Sequence, residues 1–159
     1  MLLYRLFLFL YPLVARLMSI FSPKARLWCK GQQMAFSQIH EFPTHQPLIW
    51  MHCASLGEFE QGLPVLQQLK KQYPQHFVFV SFFSPSGYEA CKNHPIPDRV
   101  VYLPIDHPRK SAQWIQQVNP ALVIFVKYEF WYYYLLALHQ QKFPCCSFQR
   151  CFVNTSFFS

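Results

Sequence analysis

From residue 47 onward, apolar residues fall alternately into short continuous runs and into stripes at helical spacing. Residues 47–54 form a nearly unbroken apolar run and read as a buried strand. Phe59, Leu63, Leu66, Leu69 and Tyr73 then recur every three or four positions, which predicts a helix ending near residue 73. Residues 76–83 form a second strand rich in β-formers. Ser84 and Pro85, a cap residue followed by a first-position proline, open a short helix to residue 92. Residues 98–103 and 121–126 read as the third and fourth strands. Between them a helix runs to about residue 118 with Asp106 as its cap, and another helix covers 129–141. Strands this apolar, alternating with helices, predict an α/β fold: a Rossmann-like parallel sheet covered on both faces. Ligands in such sheets sit beyond the carboxyl ends of the strands, here the loops 55–58, 84–87, 104–107 and 127–129.

The first thirty residues follow a different pattern. Residues 2–21 are twenty in number, nominally enough to cross about 30 Å of hydrocarbon. Arg5 and Arg16 oppose a simple span, since each costs about 2.5–3.5 kcal/mol at a bilayer centre. On a helical wheel Arg5, Pro12, Arg16 and Ser19 share a narrow arc, and Leu, Phe and Val cover much of the rest. That layout suits a helix lying in the interface plane with its arginines toward the headgroups. No small-residue cleavage site follows, which argues against a signal peptide. Whether the segment spans the bilayer or lies on it stays open, with a buried core helix as the plainer alternative.

Composition sharpens this division. The chain has 159 residues, 52% hydrophobic and only 13% charged, with a formal net charge of +7. Five bases and no acid fall within residues 1–30, including Lys24, Arg26 and Lys30 directly after the apolar run. The excess positive charge is therefore largely local to a membrane-associated segment, residues 1–30. A nucleic-acid-binding surface would spread bases over the globular part, so that function class is disfavoured. The six cysteines form no CxxC pair and no metal-ligand spacing, which fits buried thiols in a reducing compartment. His40, His45 and His52 are irregularly spaced, so the sequence implies no metal site and no cofactor.

The loop after the first strand, Ala54-Ser-Leu-Gly-Glu-Phe59, has no phosphate-binding glycine fingerprint but offers a carboxylate, Glu58, at a strand-to-helix turn. A carboxylate there can take a proton from a substrate hydroxyl. Ser55 and Glu58 also have capping-box spacing, in which both side chains merely satisfy backbone N–H groups. Pro64 weakens that alternative, because a helix capped at Ser55 carries the proline in its interior, at about 3 kcal/mol unless it kinks. Glu129 begins the helix after the fourth strand, where an acid favours the helix dipole without any catalytic reason.

The motifs Leu48-Ile-Trp-Met-His-Cys-Ala-Ser-Leu-Gly-Glu-Phe59, Ser84-Pro-Ser-Gly-Tyr88, Tyr102-Leu-Pro-Ile-Asp106 and Val126-Lys-Tyr-Glu-Phe-Trp131, in this order behind an apolar basic N-terminus, resemble the 3-deoxy-D-manno-octulosonic acid (Kdo) transferases of lipid A biosynthesis. The resemblance covers about residues 1–142 and implies the N-terminal half of a GT-B glycosyltransferase. That half would bind a lipid A precursor, and a separate C-terminal half would bind the donor CMP-Kdo. It implies transfer of Kdo with inversion, without a metal ion, at the cytoplasmic face of the inner membrane. Glu58 matches the family's general base and Glu129 a glutamate that helps stabilise the transition state. Ser55, Gly57, Ser84, Ser86 and Gly87 fall in loops expected to meet the acceptor. Where the family often has a second acid, this chain has Lys127.

Residues 31–144 are accordingly expected to form the acceptor domain. Residues 145–159 lack apolar alternation and hold three of the six cysteines, which suggests a frameshift or truncation after Pro144. The CMP-Kdo-binding domain is then absent and the chain alone inactive. The alternative is a membrane-anchored binding module without chemistry, whose binding would be indifferent to Glu58→Gln.

Overall fold

A computed structural model describes residues 2–126, 131–141 and 145–147. Helices α1 (Leu2–Met18) and α2 (Pro23–Ile39) precede five parallel strands: β1 (Leu48–Cys53), β2 (Phe77–Phe82), β3 (Arg99–Tyr102), β4 (Leu122–Phe125) and β5 (Cys145–Ser147). Between the strands lie α3 (Leu56–Gln72), α4 (Pro85–Cys91), α5 (Pro108–Val118) and α6 (Tyr132–Gln140). The sheet order is β3-β2-β1-β4-β5, so the chain winds outward in one direction from β1 and then returns to β4 on its other side. This is the doubly wound arrangement expected from the continuous apolar strands. Its switch point lies between β1 and β4, and sheets of this kind bind ligands beyond the strand ends at that point.

Every residue of β1 is buried, and its alternating side chains feed two separate cores. Trp50 joins Phe79, Phe125, Trp114 and Tyr134 beneath α2, α5 and α6. Ile49, Met51 and Cys53 join Phe59 and Leu66 of α3 on the opposite face. α3 keeps the Phe59-to-Tyr73 stripe anticipated from its spacing. It begins immediately after Ser55 and carries Pro64 in its interior.

Three local expectations are corrected. The N-terminal segment is two helices rather than one membrane helix. α2 crosses the boundary at residue 30 and packs Trp28, Gly31, Ala35 and Ile39 into the domain. A side chain at Gly31 would enter the ring of Tyr102, so a glycine lets α2 lie directly on β3. Among the described residues no helix is long and apolar enough to cross a membrane. Residues 145–147, in the tail read as lacking apolar alternation, form a strand beside β4. α6 begins at Tyr132, three residues after Glu129, because its first-turn N–H groups are capped by an acid from elsewhere in the chain.

α1 also sits differently from the amphipathic expectation. Its half-buried, inward side is the tyrosine-bearing stripe of Tyr4, Leu8, Tyr11 and Ala15. Tyr11 stacks edge-on against Trp28 and also meets Phe83. Arg5 does not point away from the protein: its Nε donates to the hydroxyl of Tyr133 at 3.1 Å. The broad apolar side, including Leu3, Phe7, Leu10, Leu13, Val14 and Leu17, is exposed.

Candidate functional site at the switch point

Glu58 occupies the third position of α3, in the loop leaving β1 at the switch point. Its carboxylate is buried, at 9% exposure, and Oε2 accepts the backbone N–H of Ala54. The capping-box expectation is thus half realised. The glutamate does reach back to a backbone donor, one residue earlier than the box requires, while the Ser55 side chain makes no cap bond. The neighbouring loop is pinned to this one by Ser84 N–H donating to Ala54 O at 3.2 Å. This bond ties the two sheet-end loops together beside Glu58.

The other residues anticipated for this site divide by exposure. Ser55, Gly57 and Ser86 face solvent beside Glu58's loop, and Gly57 has open space where a side chain would be. Ser84 is half-buried at the head of α4, its side chain uninvolved in capping. Gly87 is buried, and any side chain there would enter the ring of Phe82 and crowd the backbone nitrogen of Leu56. Its visible role is close packing of α4 against the Glu58 loop. Glu129 and Lys127 lie outside the described residues.

Two polar groups that the sequence reading undervalued shape the same end of the sheet. The first is His52, considered above only as a metal ligand. It is fully buried one residue before the end of β1, paired in register with Ser81 of β2. Trp50 Nε1–H donates to Ser81 Oγ at 2.7 Å, and Ser81 Oγ lies 2.9 Å from His52 Nδ1. Nδ1 also lies 3.1 Å from the Ser81 carbonyl oxygen, which only accepts, so the neutral ring carries its proton on Nδ1 and donates it to Ser81. Nε2 has no hydrogen-bond partner among the described residues, and the ring stands edge-on to Trp131, with centroids 5.1 Å apart. Burial pushes the His52 pKa down to about 3, so the ring stays neutral at physiological pH. The available signal was one histidine and one serine, each second from the end of an otherwise apolar strand.

The second is Asp106, anticipated as the cap of α5. The residue in that position is His107. Asp106 is completely buried and turns instead to α6, accepting the N–H groups of Tyr133 and Tyr134 at 3.0 Å each. It also accepts the hydroxyls of Ser111 and Tyr4. One carboxylate thereby joins α1, α5 and the start of α6. It fixes the element that follows the β4 loop. Burial and the Asp106 carboxylate hold the Tyr4 phenol protonated well above its ordinary range.

Chemically, this end of the sheet presents one carboxylate able to accept a proton, in a loop with accessible backbone and serine hydroxyls. The described residues contain no group of three histidine, cysteine or acidic side chains placed to hold a metal ion.

Comparison with known proteins agrees with this architecture. The family described as 3-deoxy-D-manno-octulosonic-acid transferase (kdotransferase) matches residues 14–157. Similar curated proteins include the 3-deoxy-D-manno-octulosonic acid transferase of Aquifex aeolicus, 34% identical over 84 residues, which are 52% of this chain and 23% of that protein. The Haemophilus influenzae enzyme of the same name is 35% identical over 85 residues, 52% of this chain and 20% of that protein. The Chlamydophila psittaci one is 29% identical over 93 residues, 57% of this chain and 22% of that protein. The matched stretch is thus about a fifth to a quarter of each relative. With the family match covering most of its length, the chain belongs to the 3-deoxy-D-manno-octulosonic-acid transferase family.

Proposed function

We propose that this chain is the acceptor-binding half of an inverting glycosyltransferase that moves Kdo from CMP-Kdo to a lipid A precursor in lipopolysaccharide biosynthesis. The observation that carries the reading is the placement of Glu58: a buried carboxylate at the switch point, beside exposed loops, in the position of the family's general base. The acceptor hydroxyl gives its proton to Glu58 while its oxygen attacks the anomeric carbon of Kdo. The bond to CMP breaks, and CMP leaves with the electron pair. Holding one Glu58 oxygen on Ala54 N–H orients the carboxylate. Glu129, which follows β4 in the sequence, helps stabilise the transition state, as the family resemblance implies. Ser55, Gly57, Ser84 and Ser86 meet the acceptor. Gly87 serves it only indirectly, by closing the loop.

The donor CMP-Kdo belongs to a C-terminal half outside these residues, so residues 1–159 by themselves transfer no Kdo. α1 lies in the plane of the inner membrane on its cytoplasmic face, with its exposed apolar side in the lipid and the bases that follow it on anionic headgroups. This places the lipid acceptor and the Glu58 loop on one molecule at one surface.

The test joins this domain to a donor-binding half and measures Kdo transfer. Glu58→Gln is expected to lower turnover by about 10²–10⁴-fold with acceptor binding retained. Near-normal turnover would reduce Glu58 to a backbone cap. Vesicle or acceptor binding without any transfer by the joined enzyme would favour a non-catalytic binding module instead.

A further inference from the structure

The flank of α1 that bears its arginines does not close onto the domain. Between it and the start of α5 an open cleft of about 620 Å³ remains, lined by Arg5, Phe9, Pro12, His107, Pro108 and Tyr133. The volume is in the range of small-molecule sites. Its walls are mostly carbon, from Phe9, Pro12, Pro108 and the Tyr133 ring. Its polar groups are the Arg5 guanidinium, which donates to Tyr133 Oη, and His107 at the N-cap of α5.

The charge around these groups is one-sided. The first turn of α5 contains Arg109 and Lys110, both exposed, and no acid. Bases at a helix N-terminus oppose the dipole, and a bound anion reverses that penalty. Asp106 is the acidic group adjoining this turn among the described residues. It is completely buried, and its oxygens are taken up by Tyr4, Ser111 and two α6 N–H groups. Arg5, Phe9, Pro12 and Arg16 also fall on one stripe of α1, between its half-buried tyrosine side and its exposed apolar side. A molecule in the cleft would therefore have its charged end level with the arginines and its apolar part continuous with the outward face of α1.

We infer that this cleft binds one anionic phospholipid, with its phosphate between Arg5 and the first turn of α5 and an acyl chain along Phe9 and Pro12. The inference deepens the reading of α1 as an in-plane membrane helix. It goes beyond that reading because it assigns a saturable site for a single lipid rather than adhesion to a charged surface.

Native mass spectrometry of the full chain with a short-chain phosphatidylglycerol below its micelle concentration is expected to show saturable binding of one lipid per chain. Arg5→Gln with Arg109→Gln should weaken it by about tenfold or more, while Lys24→Gln with Lys30→Gln, the same charge removed away from the cleft, should leave it unchanged. Short-chain phosphatidylcholine, glycerol phosphate and inorganic phosphate should each bind at least tenfold more weakly. Circular dichroism confirms that the variants fold; both arginines are exposed, so folding is expected to survive. Flotation with phosphatidylglycerol vesicles without one-to-one binding of the short-chain lipid would overturn the cleft and leave membrane docking standing. One-to-one binding without flotation would sustain the cleft and overturn docking. Equal binding of inorganic phosphate would overturn the lipid assignment.

Discussion

Two helices begin beside the switch point, and each meets a carboxylate at its N-terminus in a different way. At α3 the acid is local: Glu58 belongs to the helix it serves and accepts one backbone N–H, four residues back along the chain. At α6 the acid is remote: Asp106 arrives from the β3–α5 loop and is tied by four donors from three elements. A carboxylate with every neighbour committed to it is part of the frame, and protonating it would cost hydrogen bonds. A carboxylate held by a single backbone donor beside an accessible loop is oriented but still able to accept a proton. The difference distinguishes the two acids more sharply than burial does, since both are buried.

The comparison breaks most decisively if the two acids prove interchangeable in effect. Glu58→Gln preserves shape and can still accept the Ala54 N–H through its amide oxygen. Its cost should appear in turnover, about 10²–10⁴-fold in an enzyme with its donor half, with little change in melting temperature. Asp106→Ala should do the reverse. It leaves two α6 N–H groups and two hydroxyls without their acceptor in a dry site, so a loss of about 3–5 kcal/mol in chemical denaturation is expected. A well-folded Asp106→Ala protein would place the frame of this end of the sheet elsewhere.

His52 sharpens the picture by pH. Its folded pKa, about 3, lies below the ordinary 6.5, so below pH 6.5 the unfolded chain binds a proton that the folded chain refuses. Its contribution to stability is complete above about pH 6.5 and is lost as pH falls toward 3, at up to about 1.4 kcal/mol per pH unit. A His52→Gln variant should show a flatter decline over that window when unfolding is followed by urea at successive pH values. Equal slopes in the two proteins would mean that His52 is protonated in the folded state. Nuclear magnetic resonance of the ring nitrogens gives a second reading, with the proton on Nδ1 throughout.

The parallel sheet and Glu58 were legible because they rest on short-range patterns. Strands of four to six residues buried on both faces cannot hide their apolar runs, and a strand-to-helix turn places its third residue predictably. What escaped depends on partners distant in sequence. Asp106 looked like a cap for the helix it precedes, and only packing shows that α6, which starts 26 residues later, receives it. α2 went unread because its apolar residues are sparse: Gly31, Ala35 and a half-buried flank suffice where a glycine lets it lie on Tyr102. The wheel of α1 separated its arginines from its apolar arc correctly. It had no means of knowing that tyrosines between them would face the domain.

Tyr4 tests that last choice with the smallest expected effect. Its hydroxyl donates to Asp106, and its ring lies 6.2 Å from that of Tyr133, so it couples α1 to the start of α6. Tyr4→Phe keeps the ring and removes one hydrogen bond to a carboxylate that retains three other donors. Global stability should fall by about 1.5 kcal/mol, the low end for a bond to a charged group. The larger consequence should be local: backbone amides of α1 should exchange with solvent faster, with those of the sheet unchanged. If amides of α1 and α6 accelerate together, Asp106 needs all its donors to stay in place. Acceleration confined to α1 would show a carboxylate that frames α6 on its own, with the N-terminal helix docked as a separable attachment.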